Sequence, residues 1–249
     1  KIYYSIDLDS LSTYPDLNKT YKLFESTYGV SEKNCYLTHG SDAAIRAFFE
    51  YVTRSFKNSK AIIMRPSFGM YEVYATYFCK SVLKVDYPKF VDRSLTPYEL
   101  IIDNIKNLNK GDIFVLASPE SPMGIQYKID EINTFIDKVL SKGAFILIDE
   151  TYIDFSEQES IRERIDNSMD NLFITGSLSK SWGLAGIRIG YLISTKNSIK
   201  AAKLSRFMYE IGGFQSEFLS QSLKHYDQFK SNTISQRLFR DNLIELLKR

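Results

Sequence analysis

Short apolar runs alternate along the chain with longer segments of helical periodicity. Several of the apolar runs are hydrophobic at every position, which is typical of strands buried on both faces of a parallel sheet. These runs lie at residues 35–38, 61–64, 81–85, 113–117, 144–148, 172–175 and 189–194. The helical segments lie at residues 42–56, 70–78, 97–108, 129–141, 216–229 and 231–248. The alternation predicts an α/β fold with a mostly parallel sheet.

The composition is that of an ordinary globular protein, with 44% hydrophobic residues. Lys and Arg number 32 against 30 Asp and Glu, so neither a nucleic acid nor a membrane surface is predicted as the main partner. The longest apolar runs are too short to span a bilayer. Two cysteines and two histidines, scattered along the chain, predict neither a disulfide framework nor a metal site. We therefore expect a cytoplasmic protein.

Polar residues follow four of the predicted strands at the point where each strand ends. Ser41 and Asp42 come after the first of them, Ser118 after another, Asp149 after a third and residues 177–180 after a fourth. In an open α/β sheet, ligands bind outside the carboxyl ends of the strands. The sequence therefore predicts one site at this edge of the sheet.

The segment SLSKSWGLAGIRIG, residues 177–190, sets Lys180 among hydroxyls and glycines, eight residues before Arg188. A lysine amine can form a Schiff base with a carbonyl compound, and Ser177, Ser179 and Arg188 can bind a phosphate beside it. This chemistry suits a phosphorylated aldehyde, pyridoxal 5'-phosphate. A solvated surface lysine is one alternative. A P-loop is another, but its Gly-Lys ending is missing because Ser179 precedes the lysine.

The same segment resembles the S-[LF]-S-K-x-[FW]-G-L-A-G-x-R-x-G signature of fold-type I aminotransferases, most closely the histidinol-phosphate aminotransferase branch. The resemblance implies a three-layer α/β sandwich with a mostly parallel sheet, the large domain of pyridoxal-phosphate-dependent transferases. It also implies that Lys180 holds the cofactor covalently and that Ser177, Ser179 and Arg188 bind its phosphate.

Residues 149–155, DETYIDF, are similar to the family's D-E-[AT]-Y-x-[DE]-F. A pyridine nitrogen needs an acidic partner to stay protonated and to let the ring act as an electron sink. By resemblance, Asp149 pairs with the ring nitrogen and Tyr152 donates to the ring hydroxyl oxygen. We assign Glu150 and Asp154 to local structure. Without Lys180 downstream, a helix cap and a core tyrosine would be the simpler interpretation.

Two further motifs predict residues that contact the cofactor. Residues 38–45, THGSDAAI, are similar to G-[AS]-D-E-[AG]-I, and they lead a strand into a helix whose first N–H groups can bind a phosphate at Ser41 and Asp42. An ordinary helix cap at these residues is compatible with that role. Residues 65–71, RPSFGMY, resemble P-[TS]-[YF]-G-M-Y, whose aromatic residue, here Phe68, stacks on the cofactor ring.

Residues 118–124, SPESPMG, depart from the family's S-P-N-N-P-T-G. The asparagine before the second proline normally hydrogen-bonds the ring hydroxyl oxygen and helps to seat the substrate carboxylate. That position is Ser121 here. The shorter serine can make only part of this contact, which leaves more of it to Tyr152 and leaves the reaction type open.

Residues 13–16, TYPD, resemble R-Y-P-[DE], whose tyrosine reaches across a dimer interface to the partner's cofactor phosphate. The resemblance implies a homodimer with Tyr14 as the intersubunit contact; a surface turn is the alternative. Because the family is longer than this chain, we expect an N-terminal remnant at 1–30, a cofactor-binding large domain at 31–230, and a helix at 231–249 that leads to a missing small domain.

The predicted function is a pyridoxal-phosphate-dependent aminotransferase, with an amino acid or amino phosphate as donor and a 2-oxo acid as acceptor. One alternative is a decarboxylase of a phosphorylated amino acid, which shares this fold and much of the motif set; Ser121 keeps it open. The other is a non-catalytic relative, and the intact set of Lys180, Asp149, Tyr152 and Arg188 argues against it. The sequence does not identify the donor or the acceptor.

Overall fold

The computed structural model describes residues 6–88, 96–165 and 168–248, so residues 1–5 and 249 of the predicted terminal segments lie outside the described part. Within these ranges, seven strands form one sheet. They are β1 (Cys35–His39), β2 (Lys60–Arg65), β3 (Ser81–Asp86), β4 (Ile113–Ala117), β5 (Phe145–Asp149), β6 (Leu172–Ser177) and β7 (Ile189–Ile193). Each predicted strand is present, with its ends shifted by at most two residues.

The sheet order is β1-β7-β6-β5-β4-β2-β3. Strands β2 to β6 pair in parallel, whereas β7 runs antiparallel to both of its neighbours, β1 and β6. The predicted mostly parallel sheet is confirmed. Because β7 is reversed, its amino end lies at the same edge as the carboxyl ends of the other strands, and the connection between β6 and β7 stays at that edge.

Eight α-helices in the described residues cover the two faces of the sheet. They are α1 (Leu17–Tyr28), α2 (Gly40–Ser55), α3 (Gly69–Phe78), α4 (Pro97–Ile105), α5 (Ile129–Ser141), α6 (Lys196–Ala202), α7 (Gly213–Leu223) and α8 (Tyr226–Leu247). One face packs on α2, α3 and α6, and the other on α1, α4, α5 and α7. The chain is therefore the three-layer α/β sandwich that the sequence predicts. No helix in the described ranges is both long and apolar enough to cross a membrane.

Local sequence explains where the helices begin and end. Asp16 caps α1 by accepting a hydrogen bond from the Asn18 N–H, and the helix ends at Gly29 in the left-handed conformation. Thr96 and Glu99 form a reciprocal capping box at the start of α4. Neither α1 nor α6 was predicted. The buried residues of α1 are Thr20, Phe24 and Tyr28, which recur at every fourth position, so the helical periodicity of this segment is present in the sequence and was missed.

The boundary between the last two helices was predicted wrongly. The predicted boundary near residue 230 falls inside α8. The two helices are instead separated between Leu223, where α7 ends, and Tyr226, where α8 begins. The ring of Phe229 stacks on Trp182 with centroids 4.4 Å apart, which holds the first turns of α8 against the body of the protein. Ser231 is exposed, and an exposed serine is tolerated inside a helix.

Candidate active site

A cavity of about 620 Å³ opens at the edge of the sheet where the parallel strands end. It brings together every predicted site residue except Tyr14. Those residues are Ser41, Asp42, Phe68, Ser121, Asp149, Tyr152, Ser177, Ser179, Lys180 and Arg188. They come from six separate parts of the chain, so their convergence follows from the sheet order rather than from closeness in sequence.

Lys180 lies in the turn that follows β6, with its side chain exposed to the cavity. Its Nζ is 5.6 Å from the centre of the Tyr152 ring. The turn begins with a hydrogen bond from the Ser179 N–H to Ser177 Oγ at 3.1 Å. Trp182 is buried two residues later and anchors the turn. The amine is therefore held over the cavity by a fixed backbone while it stays free to react.

Arg188 and the start of α2 form one corner of the cavity. Arg188 has a left-handed backbone, with φ at 57°, which is uncommon for a residue other than glycine. Its guanidinium packs against Gly40, where a Cβ atom would lie 2.7 Å from Nη2. Gly190 is equally constrained, because its Cβ would lie 2.3 Å from the backbone N of Ser41. A helix N-terminus and a guanidinium that meet this closely favour a bound anion such as a phosphate.

Asp149 ends β5 and is only 4% exposed. Its carboxylate accepts hydrogen bonds from the Thr151 N–H at 2.8 Å and from the Tyr71 hydroxyl at 2.6 Å. Burial raises the pKa of Asp149 above its ordinary value, and the hydrogen bonds from Tyr71 and Thr151 act in the opposite direction. A cation in the cavity would stabilise the ionised form further.

The carboxylates of Glu150 and Asp154 accept hydrogen bonds from nearby loop residues, in keeping with the structural role assigned to them. Glu150 is 3% exposed and accepts hydrogen bonds from the Ile161 N–H at 2.9 Å and from the Ser160 hydroxyl. Burial raises the pKa of Glu150 to about 7, against the effect of these hydrogen bonds. Asp154 accepts a hydrogen bond from the Ser181 hydroxyl, next to Lys180.

Phe68 is the residue before α3 and lines the cavity with its side chain 46% exposed. Its ring meets the ring of Tyr71 edge to face, with centroids 5.6 Å apart. An aromatic ring that stays half exposed inside a cavity offers a free face on which a planar ligand can stack.

Ser121 lies in a tight turn that Glu120 closes. The Gly124 N–H donates to the Glu120 carbonyl at 3.0 Å, and the Met123 N–H donates to Glu120 Oε2 at 2.8 Å. Glu120 is buried, and its other carboxylate oxygen has no hydrogen-bond partner among the described residues. The turn therefore keeps Ser121 at the cavity although the sequence departs from the family pattern.

Tyr14 does not line the cavity. It is 80% exposed, and its ring stacks on Tyr209 with centroids 4.5 Å apart and planes 15° from parallel. Within one protomer it lies apart from the other predicted site residues, so its contact with a partner's cofactor stays a prediction.

Sequence reasoning did not assign a role to Tyr71, although it stands at the end of the RPSFGMY motif. Thr151, which also lines the cavity and donates to Asp149 through its backbone, was missed as well. The signal for Tyr71 was its spacing, because residues three apart at a helix start lie on one side of the helix. Phe68 and Tyr71 have that spacing.

Residues 12–247 match the model of the family described as aminotransferase class I and II. The chain is 34% identical over 247 residues to the histidinol-phosphate aminotransferase of Buchnera aphidicola subsp. Cinara cedri, covering 96% of this chain and 64% of the relative. It is 30% identical over 206 residues to the histidinol-phosphate aminotransferase of Brachyspira hyodysenteriae, covering 82% and 54%. The chain thus spans less than two thirds of the length of these curated relatives.

Among solved structures, the histidinol-phosphate aminotransferase of Clostridium acetobutylicum matches with a TM-score of 0.80 at 23% identity, covering 97% of this chain and 70% of that one. The L-threonine-O-3-phosphate decarboxylase of Porphyromonas gingivalis matches with a TM-score of 0.73 at 21% identity, covering 92% and 65%. At these identities the structural likeness shows the fold alone.

Proposed function

Because the chain belongs to the aminotransferase class I and II family, we propose that the whole protein is a pyridoxal-phosphate-dependent aminotransferase. Its donor is an amino acid or an amino phosphate and its acceptor a 2-oxo acid. The names of the relatives favour an amino phosphate such as histidinol phosphate. The observation that carries the proposal is one cavity in which Lys180, Asp149 and Arg188 meet.

The residues of the cavity fit pyridoxal 5'-phosphate. The corner of Arg188, Ser41 and Asp42 suits the phosphate, since it combines a guanidinium with a helix N-terminus. The buried carboxylate of Asp149 suits a protonated ring nitrogen, and the half-exposed ring of Phe68 suits a stacked ring. Tyr152 and Ser121 offer hydroxyls for the ring oxygen, and Ser177 and Ser179 offer two more beside the lysine.

When bound, the cofactor supplies an electron sink for the pair of electrons left at the substrate α-carbon. Lys180 would hold the cofactor at its carbonyl carbon, and its free amine would move a proton between the substrate α-carbon and that carbon as general base and then general acid. Asp149 would hold the proton on the ring nitrogen. Arg188 and the start of α2 would hold the phosphate independently of the lysine.

A homodimer belongs to the same proposal, with Tyr14 reaching the partner's cofactor phosphate. Three apolar residues that shortly precede Tyr209, the stacking partner of Tyr14, are largely exposed: Leu204, Phe207 and Met208. Exposed apolar side chains close together are typical of an interaction surface. Residues 31–230 form the cofactor-binding large domain in this proposal, and the protein works in the cytoplasm, in keeping with its free cysteines.

The direct test is chemical labelling of the whole protein. We expect that incubation with pyridoxal 5'-phosphate, reduction with borohydride and peptide mapping find the adduct on Lys180. Lys180→Ala should lose the adduct and all turnover but still bind the cofactor through the Arg188 corner. Lys196→Ala, a lysine outside the cavity, is the matched control and should be labelled like the wild type. An adduct on another lysine of the wild type contradicts the proposal.

Mixing variants tests the dimer. Tyr14→Ala and Lys180→Ala should each be impaired at limiting cofactor, but a mixed dimer contains one site with an intact lysine and the partner's intact tyrosine. Activity should therefore return when the two variants are unfolded and refolded together. No recovery, in a mixture shown by sedimentation to be dimeric, contradicts a role for Tyr14 across the interface.

A further inference from the structure

Tyr71 is a buried tyrosine that lines the cavity, and the family motifs gave it no role. It is 2% exposed, and its hydroxyl lies 2.6 Å from Asp149 Oδ2. The other oxygen, Oδ1, accepts the Thr151 N–H at 2.8 Å. The two contacts fix both oxygens of the carboxylate. Each carboxylate oxygen has two lone pairs, so the carboxylate can still accept one more N–H from the cavity.

The hydrogen bond has a definite direction. Burial raises the pKa of Tyr71 well above its ordinary value, so the phenol keeps its proton and donates. The acceptor is the Asp149 carboxyl, and this hydrogen bond favours its ionised form against the opposing effect of burial. Charge-assisted hydrogen bonds of this kind are shorter and stronger than neutral ones, in agreement with the 2.6 Å distance.

The ring of Tyr71 is itself held in place. It packs edge to face on Phe68, which stands three residues earlier at the start of the same helix. One helical turn therefore presents an aromatic face to the cavity and a hydroxyl to the buried carboxylate. A shift of this turn would move both together.

We propose that Tyr71 is a positioning residue that orients Asp149 and keeps it ionised for the ring nitrogen of the cofactor. The inference rests on the proposed function, because it assigns the ring nitrogen to Asp149. It predicts that the Tyr71 hydroxyl affects binding of the cofactor only through that nitrogen. A residue that merely supports the fold would affect any ring of the same shape.

The test compares two aldehydes on the whole protein: pyridoxal 5'-phosphate and its 1-deaza analogue, which has C–H in place of the ring nitrogen. Dissociation constants are measured by absorbance titration for the wild type, Tyr71→Phe and Tyr74→Phe. Tyr74 is the matched control, since it lies on the same helix and its hydroxyl bonds Asp42 at 3.1 Å rather than Asp149.

We expect the wild type to prefer pyridoxal 5'-phosphate over the analogue. Tyr71→Phe should weaken the binding of pyridoxal 5'-phosphate roughly tenfold and leave the analogue within about twofold of the wild type. Tyr74→Phe should change both affinities by the same factor. In an Asp149→Asn background, Tyr71→Phe should no longer alter the preference between the two aldehydes.

An undiminished preference in Tyr71→Phe would overturn the inference, and so would an equal loss for both aldehydes. Thermal unfolding of the variants without cofactor separates a loss of stability from a loss of binding. Tyr71→Phe removes one oxygen and keeps the ring that packs on Phe68, so the variant retains the shape of the core. Failure of the proposed function gives a different result, because the wild type would then bind neither aldehyde at Lys180.

Discussion

Asp149 and Glu150 are consecutive buried carboxylates, but they lie in different surroundings. Side chains alternate across a strand, so Asp149 extends to the face of the sheet covered by α3, where Tyr71 donates to it. Glu150 extends to the other face, where Ser160 and Ile161 donate to it. Asp149 lines the cavity and Glu150 does not. Burial and a raised pKa are common to both, so access to a cavity is what separates a candidate catalytic acid from a structural one.

Removal of Asp149 is the largest expected effect. In the whole enzyme, Asp149→Ala should lower kcat and kcat/KM together by several powers of ten, because the charge on the ring nitrogen is lost in the transition state. Cofactor retention should change less, since Arg188 and the start of α2 still bind the phosphate. Steady-state kinetics and cofactor titration check both points. A variant with the wild-type kcat would show that Asp149 is structural.

Removal of Glu150 should affect stability instead. Glu150→Ala leaves the Ile161 N–H and the Ser160 hydroxyl without an acceptor, which costs about 3 kcal/mol of unfolding free energy at pH 5. Urea denaturation measures the loss, and the exposed Glu159→Ala is the control. The folded Glu150→Ala variant should keep a kcat close to the wild type. If kcat falls as it does in Asp149→Ala, the contrast between the two carboxylates is wrong.

The raised pKa of Glu150 makes its contribution to the free energy of unfolding depend on pH. With a folded pKa of about 7 and an ordinary value of 4.5, the native state holds more protons than the unfolded state between these limits. The contribution of Glu150 to stability is therefore fully present at low pH and falls as pH rises to 7. Relative to wild type, Glu150→Gln should gain on the order of 2 kcal/mol between pH 5 and pH 8. Parallel stability curves for the two proteins would contradict this.

Substitution of Ser121, which like Asp149 lines the cavity, has the smallest expected effect. Ser121→Asn should restore one hydrogen bond to the ring oxygen and change half-transamination by about tenfold or less, since such a bond contributes about 0.5–1.5 kcal/mol. Conversion of the cofactor to its amine form and release of carbon dioxide are followed together. Carbon dioxide release without the amine form in the wild type would favour the decarboxylase over the aminotransferase.

The sequence predicts most of this fold because buried strands leave a strong local pattern. The run at residues 144–148, which supplies all of β5 except Asp149, is apolar throughout, and all of its residues are buried. Asp149 could be identified because it directly follows that run and belongs to a motif. Tyr71 was missed although its spacing from Phe68 places both on one side of the helix, because a tyrosine in a helix usually packs in the core and its partner is 78 residues away.

Weak or distant signals account for the other differences. The break before α8 lies close to the packing of Phe229 against Trp182, a contact that local polarity does not reveal. Tyr14 could be found by its motif, but the motif does not indicate where the side chain lies in a single protomer. Contacts between segments far apart in sequence decide both cases.

The close approach of Gly190 to Ser41 also determines when the site can form during synthesis. Among the described strands, β1 has one neighbour, β7, and Thr38 pairs with Gly190 about 150 residues later. Until β7 leaves the ribosome, β1 has no strand to pair with and the phosphate corner lacks one wall. At about 5–20 residues per second, this delay is roughly 10–30 s. The nascent chain therefore completes the corner formed by Arg188 and the start of α2 only after β7 has been synthesised, about 150 residues after β1.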